Sequence, residues 1–102
     1  MKLYLDDLRD PPDQTWTVAR SYEEAVALVA EHGFPEHVSF DHDLGGEQTG
    51  LDFAHYLVRL YLDEGTMPAN FGFDVHSANV PGSENIEGLL TRYLRWRIEE
   101  RT

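Results

Sequence analysis

Residues 2 to 20 read KLYLDDLRDPPDQTWTVAR, two short apolar runs separated by a loop with two adjacent prolines. The runs at 2–6 and 16–20 carry the apolar, aromatic and β-branched residues that are typical of strands. Proline lacks a backbone N–H and clashes inside a helix, so we predict no helix in residues 7–15. A parallel pair normally needs a longer, usually helical, crossover. This stretch therefore predicts a fold from which a first helix is missing.

Outside this stretch, strand-like and helix-like segments alternate. The runs HVSFD (37–41) and FGFDVHS (71–77) predict two more strands, and apolar residues recur at helical spacing in 21–32, 50–64 and 83–100. Such alternation is typical of α/β proteins. We predict one domain, residues 1–102, with a four-stranded parallel sheet in the order 2-1-3-4.

The strands also alternate between apolar and polar residues, whereas a parallel sheet covered on both faces reads as continuously apolar. We therefore expect the helices to cover mainly one face. The other face is left to solvent, to a second copy in a homodimer, or to the last helix folding back. The residues expected on the covered face are Leu3, Leu5, Trp16, Val18, Val38, Phe40, Phe71, Phe73 and Val75.

Composition narrows the functional classes. Eight Lys and Arg residues face 19 Asp and Glu residues, a net charge of −11, which disfavours bulk binding of nucleic acid or of anionic membranes. The chain has no cysteine, its first residues are charged, unlike a signal peptide, and no apolar run approaches the length of a membrane helix. We expect a cytoplasmic protein without a disulfide or thiolate site.

Polar residues follow three of the predicted strands, where ligands bind in open parallel sheets. They are Asp6 and Asp7, then Asp41, His42 and Asp43, then His76, Ser77 and Asn79. In the order 2-1-3-4 these strands are neighbours, so the three groups should meet in one pocket. Crowded carboxylates repel one another and need a cation or a shared proton. We expect Asp6, Asp7 and Asp41 to bind Mg²⁺ or Mn²⁺, and the histidines leave a transition metal open.

Several motifs carry a family resemblance. LYLDDLR (3–9) and VSFDHDLGGEQTGLDFAHYL (38–57) are similar to the receiver pattern, in which strands end in an acidic pair and in an aspartate. Together, LDDLR, DHDLG, TGLD and HSAN resemble the cyclic-phosphate-processing receiver-like family over about the whole chain. The resemblance implies a receiver-like, flavodoxin-like α/β fold of three-layer origin. It also implies a phosphoesterase acting on 2′,3′-cyclic phosphate ends of RNA or related cyclic nucleotides, as in RNA repair.

The departures from a signalling receiver favour hydrolysis. We expect no fifth strand and no equivalent of the lysine that contacts the phosphoryl group in receivers, whereas two histidines are added. His42 and His76 are the expected acid and base, in either order. Asp43 completes the site or orients a histidine, and Asp41 is a metal ligand or a covalent nucleophile.

Substrate binding is expected from Arg9, Ser77 and Asn79. Arg9 follows the acidic pair and is the nearest candidate for a phosphate clamp, and the other two can donate hydrogen bonds to the phosphate. Plainer interpretations of these residues stay open: Ser77 and Asn79 are common turn residues, and His76 fits a core histidine. Two other functions also stay open. One is a non-catalytic degenerate receiver used as a signalling or protein-binding module, and the other is a phosphatase acting on monoesters.

Overall fold

A computed structural model describes the backbone of residues 1–101 and the side chains of residues 1–96. Strands and helices alternate after the first strand pair, and the sheet is parallel with the order β2-β1-β3-β4, as predicted. Residues 6–15 join β1 to β2 without a helix. The elements are β1 (Lys2–Leu5), β2 (Trp16–Ala19), α1 (Tyr22–His32), β3 (His37–Phe40), α2 (Gly50–Glu64), β4 (Gly72–Val75) and α3 (Val80–Arg101).

Side-chain caps set the starts of the helices. The hydroxyl of Ser21 accepts a hydrogen bond from the Glu24 N–H at the start of α1, and Thr49 and Asp52 form a reciprocal capping box at the start of α2. α3 begins at Val80, three residues before the predicted start at residue 83, which is within the about two to four residues expected of such a boundary. Residues 80–83 read VPGS, which is typical of a turn, but proline is tolerated in a first helical turn because its N–H would have no partner there.

The hydrophobic core lies between one face of the sheet and the helices. Leu3 and Leu5 pair in register with Val38 and Phe40, and all four are fully buried. Burying a side chain of this size contributes about 1.5–3 kcal/mol. The same cluster contains side chains from all three helices, so the helices cover one face of the sheet, as predicted; these are Ala25, Val29, Phe53, Ala54, Leu57, Val58, Ile86 and Leu90.

The opposite face, which we call the polar face, is formed by the residues that alternate with the core positions. Its centre is buried, since Tyr4 and Ser39 are only 7% and 3% exposed. Tyr4 stacks on the His76 ring and packs edge-on against Trp16, so the side chains of this face cover one another. The polar face comprises Lys2, Tyr4, Trp16, Val18, His37, Ser39, Gly72 and Asp74.

The predicted orientation of β2 was wrong. Trp16 pairs with Lys2, and Val18 with Tyr4, so both lie on the polar face, while Ala19 is fully buried beneath the helices. Alternation of apolar and polar residues within one strand distinguishes its two faces, but it does not identify the face that meets the helices. At this edge strand the helix-facing positions carry small residues. No helix in the described part of the chain combines the length and the apolar character needed to cross a membrane.

Candidate active site

The carboxyl ends of β1, β3 and β4 surround a cavity of about 440 Å³. The backbone hydrogen bonds of the sheet continue past the strand ends, from the Asp6 N–H to Ala19, from the Asp41 N–H to Leu5 and from the His76 N–H to Phe40. The predicted strand-end groups therefore meet, as the strand order requires. The cavity is lined by Asp6, Asp7, Leu8, Arg9, Asp41, Asp43, Gly45, Ser77 and Ala78.

Three carboxylates form the most acidic part of the cavity. One ligand atom from each of Asp6, Asp7 and Asp41 lies within 4.8 Å of the others. Asp6 is 1% and Asp41 6% exposed. Two buried charges at this distance need compensating positive charge, and Arg9, which contacts both, supplies part of it. The arrangement fits a divalent ion of the Mg²⁺ or Mn²⁺ type, because both prefer oxygen ligands.

The Asp6 carboxylate is fully engaged. Its Oδ1 accepts from the backbone N–H groups of Leu8 and Arg9, both at 2.8 Å. Its Oδ2 lies 2.8 Å from Arg9 Nε and 2.9 Å from His76 Nε2. Burial acts to raise the pKa of Asp6, but the hydrogen bonds from Arg9, Leu8 and His76 and the charge of Arg9 outweigh it, so the pKa is lowered.

Arg9 lies at the mouth of the site. Besides its bond to Asp6, its Nη2 is 3.5 Å from Asp41 Oδ1, so one guanidinium spans two buried carboxylates. Its side chain is 51% exposed. Burial acts to lower the pKa of Arg9, but the charge and hydrogen bond of Asp6 and the charge of Asp41 outweigh it, so the pKa is raised.

The loop that carries Asp6 and Arg9 is fixed by Arg20, which sequence reasoning missed. Arg20 Nη1 donates to the carbonyl oxygens of Asp6 (3.2 Å) and Arg9 (2.6 Å), and its Nη2 pairs with Asp10. The fork geometry of a guanidinium suits this kind of loop closure. A basic residue directly after β2 was the only signal in the sequence.

His42, Asp43 and Asn79 form a second polar group beside the carboxylates. His42 Nδ1 lies 3.0 Å from Asp43 Oδ1, and Asn79 Nδ2 donates to both oxygens of the same carboxylate. These hydrogen bonds, from His42 first and Asn79 second, lower the pKa of Asp43. This contact is the one that Asp43 would need in order to orient a histidine, which is one of its two predicted roles. In the part of the chain that the structure describes, His42 Nε2 has no hydrogen-bond partner.

Asn79 and Ser77 organise the start of α3. Asn79 Oδ1 accepts from the Gly82 N–H at 2.9 Å, as a helix N-cap does, and the Ser77 hydroxyl accepts from the Asn79 N–H at 3.1 Å. Ser77 lines the cavity, whereas Asn79 stands behind Asp43. The plainer interpretation of both as turn residues therefore matches their contacts, and Ser77 keeps access to a ligand.

His76 faces Asp6 from the end of β4. Its Nδ1 is 2.8 Å from Ser39 Oγ and its Nε2 is 2.9 Å from Asp6 Oδ2, so both ring nitrogens are engaged by protein groups. Its side chain is 18% exposed, and its ring stacks on Tyr4 with centroids 4.5 Å apart. His76 contacts Asp6 whereas His42 contacts Asp43, and neither histidine lines the cavity directly.

Comparison with known proteins identifies a family for the chain. No curated protein and no solved structure matches the chain. A family model described as the cyclic-phosphate processing receiver domain matches residues 1–92. That match spans β1 to β4, all three strand-end groups and most of α3. With this sheet order and this match, the chain belongs to the cyclic-phosphate processing receiver domain family.

Proposed function

We propose that the chain is a metal-dependent hydrolase that opens cyclic phosphodiesters, in particular 2′,3′-cyclic phosphates of RNA ends or of related nucleotides. The observation that carries the proposal is the convergence of Asp6, Asp7 and Asp41, with ligand atoms within 4.8 Å of one another. Family membership supports the substrate class. The net charge of −11 favours a small terminal group over a long polyanion as the substrate.

The three carboxylates would hold Mg²⁺ or Mn²⁺. When bound, the ion supplies positive charge to the phosphate oxygens and to an attacking water. Arg9 adds a second cation at the mouth of the site, where its half-exposed guanidinium can turn to the phosphate in a bidentate contact. Ser77 lines the same cavity and can donate its hydroxyl proton to a phosphate oxygen.

Of the two predicted histidines, His42 keeps one ring nitrogen without a partner among the described residues, so it is our candidate for proton transfer, although its ring does not line the cavity directly. Asp43 engages Nδ1, which fixes the ring and leaves Nε2 to accept a proton. In the hydrolysis, the water oxygen forms a bond to phosphorus and the bond from phosphorus to one ribose oxygen breaks. The water proton passes to His42 and the leaving oxygen takes up a proton from the solvent in the cavity, so the product is a phosphomonoester.

The direct test is to incubate the protein and Mg²⁺ or Mn²⁺ with 2′,3′-cyclic mononucleotides or with RNA that has a cyclic-phosphate end. Turnover is monitored by ³¹P NMR. We expect Asp41→Asn and His42→Gln to reduce kcat at least tenfold. Asp63→Asn is the matched control, because Asp63 is an exposed aspartate at the far end of α2. Absence of turnover by the wild-type protein, or full turnover by Asp41→Asn, contradicts the proposal.

The same purified protein can be used to distinguish the two other candidate functions, a phosphatase acting on monoesters and a non-catalytic receiver. Faster turnover of linear monoesters than of cyclic diesters identifies a phosphatase. Stable phosphorylation of Asp41 by a small phosphodonor, without turnover of either ester, identifies a non-catalytic receiver. Mass spectrometry of the intact chain distinguishes this last outcome.

A further inference from the structure

A chain of hydrogen bonds crosses the polar face of the sheet and ends at the Asp6 carboxylate. Tyr4, Ser39 and Asp74 are paired across β1, β3 and β4 and share this face. His76 lies two residues after Asp74, so it points to the same side. The core face holds the fold together, whereas this row of polar side chains leads from the edge strand β4 to the candidate metal site.

The contacts are continuous. Ser39 Oγ donates to Asp74 Oδ2 at 2.6 Å, and Ser39 Oγ also lies 2.8 Å from His76 Nδ1. The other ring nitrogen, Nε2, then faces Asp6 Oδ2 at 2.9 Å.

The arrangement resembles a Ser-His-Asp triad in its residue types, but its burial excludes nucleophilic attack by the serine. Ser39 is 3% exposed and gives its proton to Asp74, so no substrate can reach its oxygen. Its place in the middle of the sheet instead suits a positioning role. Tyr4 supports that role because its ring stacks on His76 with an interplanar angle of 5°.

We propose that Asp74, Ser39 and His76 form a relay that fixes the Asp6 carboxylate in the orientation required to bind a divalent cation. They are positioning residues, and the inference rests on the metal site of the proposed function. The relay holds Asp6 Oδ2 from the buried side, whereas Arg9, the other partner of that oxygen, is half exposed and can be exchanged. Partners of this kind typically change metal affinity 10–100-fold when they are removed.

The test is Mn²⁺ binding by the full chain, measured by isothermal titration calorimetry without substrate. We expect Ser39→Ala and Asp74→Ala each to raise the Kd for Mn²⁺ about tenfold or more. Asp63→Ala, which removes another exposed aspartate, should leave the Kd within about twofold of the wild type, because its charge is screened by solvent.

A variant that lowers stability away from the relay separates positioning from loss of stability. Val29→Ala opens the core beneath α1, so it should lower the unfolding temperature and leave the Kd for Mn²⁺ unchanged. Asp74 is 55% exposed, so Asp74→Ala should fold even if Ser39→Ala does not.

Each result has a defined meaning. Wild-type Kd values in folded Ser39→Ala and Asp74→Ala overturn the relay, and so does a wild-type protein that binds no Mn²⁺. Tight Mn²⁺ binding that the relay variants weaken, together with no hydrolysis of cyclic phosphates, supports the relay and removes only the proposed function.

Discussion

Three glycines offer one chemical change, the addition of a methyl group, in three different environments. A Cβ at Gly50 would lie 1.9 Å from the carbonyl oxygen of Asp41, and one at Gly82 would lie 2.4 Å from the Cγ of His42. A Cβ at Gly88 would meet nothing within 4 Å. Gly88 lies in the interior of α3, where alanine gains about 0.8 kcal/mol in helix propensity over glycine, whereas Gly50 and Gly82 lie in first helical turns, where the contacts decide the outcome.

The magnitudes follow from which atoms are in the way. At Gly50 the obstacle is backbone, so the start of α2 and the end of β3 must separate by roughly 1 Å, at a cost of about 3 kcal/mol. At Gly82 the obstacle is a ring that can rotate, at the loss of the His42–Asp43 hydrogen bond, about 1 kcal/mol. Gly88→Ala should be more stable than the wild type by about 0.8 kcal/mol.

Urea unfolding followed by tryptophan fluorescence measures the series, with equal m-values as the check that only stability has changed. In a domain of this size, 1 kcal/mol corresponds to about 4–8 °C in Tm. We expect the order Gly88→Ala, wild type, Gly82→Ala, Gly50→Ala from most to least stable. If Gly50→Ala is as stable as Gly88→Ala, then α2 does not approach Asp41 as described and the reasoning about the site fails.

Three further predictions concern a cap, the cavity wall and a buried phenol. Thr49→Ala should lower the free energy of unfolding by about 1 kcal/mol, because the capping box is lost. The control Thr66→Ala, at an exposed loop position, should change it by less than about 0.5 kcal/mol. Urea unfolding measures both variants. Leu8 lines the cavity and is 83% exposed, so Leu8→Ser should raise KM for cyclic nucleotides with little change in Tm; an unchanged KM excludes Leu8 from the substrate contact. Burial first, and the charge of Asp6 second, raise the pKa of Tyr4 above 10.0, so its contribution to stability is present below pH 10.0 and is lost as the pH rises through the folded-state pKa. Absorbance titrations of the wild type and of Tyr4→Phe should differ by one phenol that ionises at high pH. If the phenol lost in the variant ionises at the ordinary pH of tyrosine, the pKa of Tyr4 is not raised.

Much of the candidate site could be predicted because its residues follow strands. Once the order of the parallel strands is known, their carboxyl ends must meet, and Asp6, Asp7 and Asp41 were assigned together for that reason. The adjacency of His42 and Asp43 in sequence likewise indicated their contact.

Other site residues lacked a local signal. Arg20 closes the loop after β1 from the neighbouring strand, and Ser39 and Asp74 reach His76 only through the pairing of β3 with β4. Ser39 and Asp74 had a weak signal in the sequence. Ser39 is a polar residue two positions before Asp41, and Asp74 is a polar residue two positions before His76, so each shares a strand face with the site residue that follows it. The partners of Asn79 are a helix N–H and the Asp43 carboxylate, and both depend on α3 beginning at Val80, directly after Asn79.

Local spacing, proline chemistry and charge were sufficient to predict the alternation of elements, the missing helix between β1 and β2 and the acidic character of the strand ends. The folded chain was needed to show that Trp16 and Val18 face away from the helices, that Arg9 spans two carboxylates and that both nitrogens of His76 are engaged. These outcomes join residues that are distant in the sequence, so they depend on how the strands pair and on where the loops run, which local spacing does not specify.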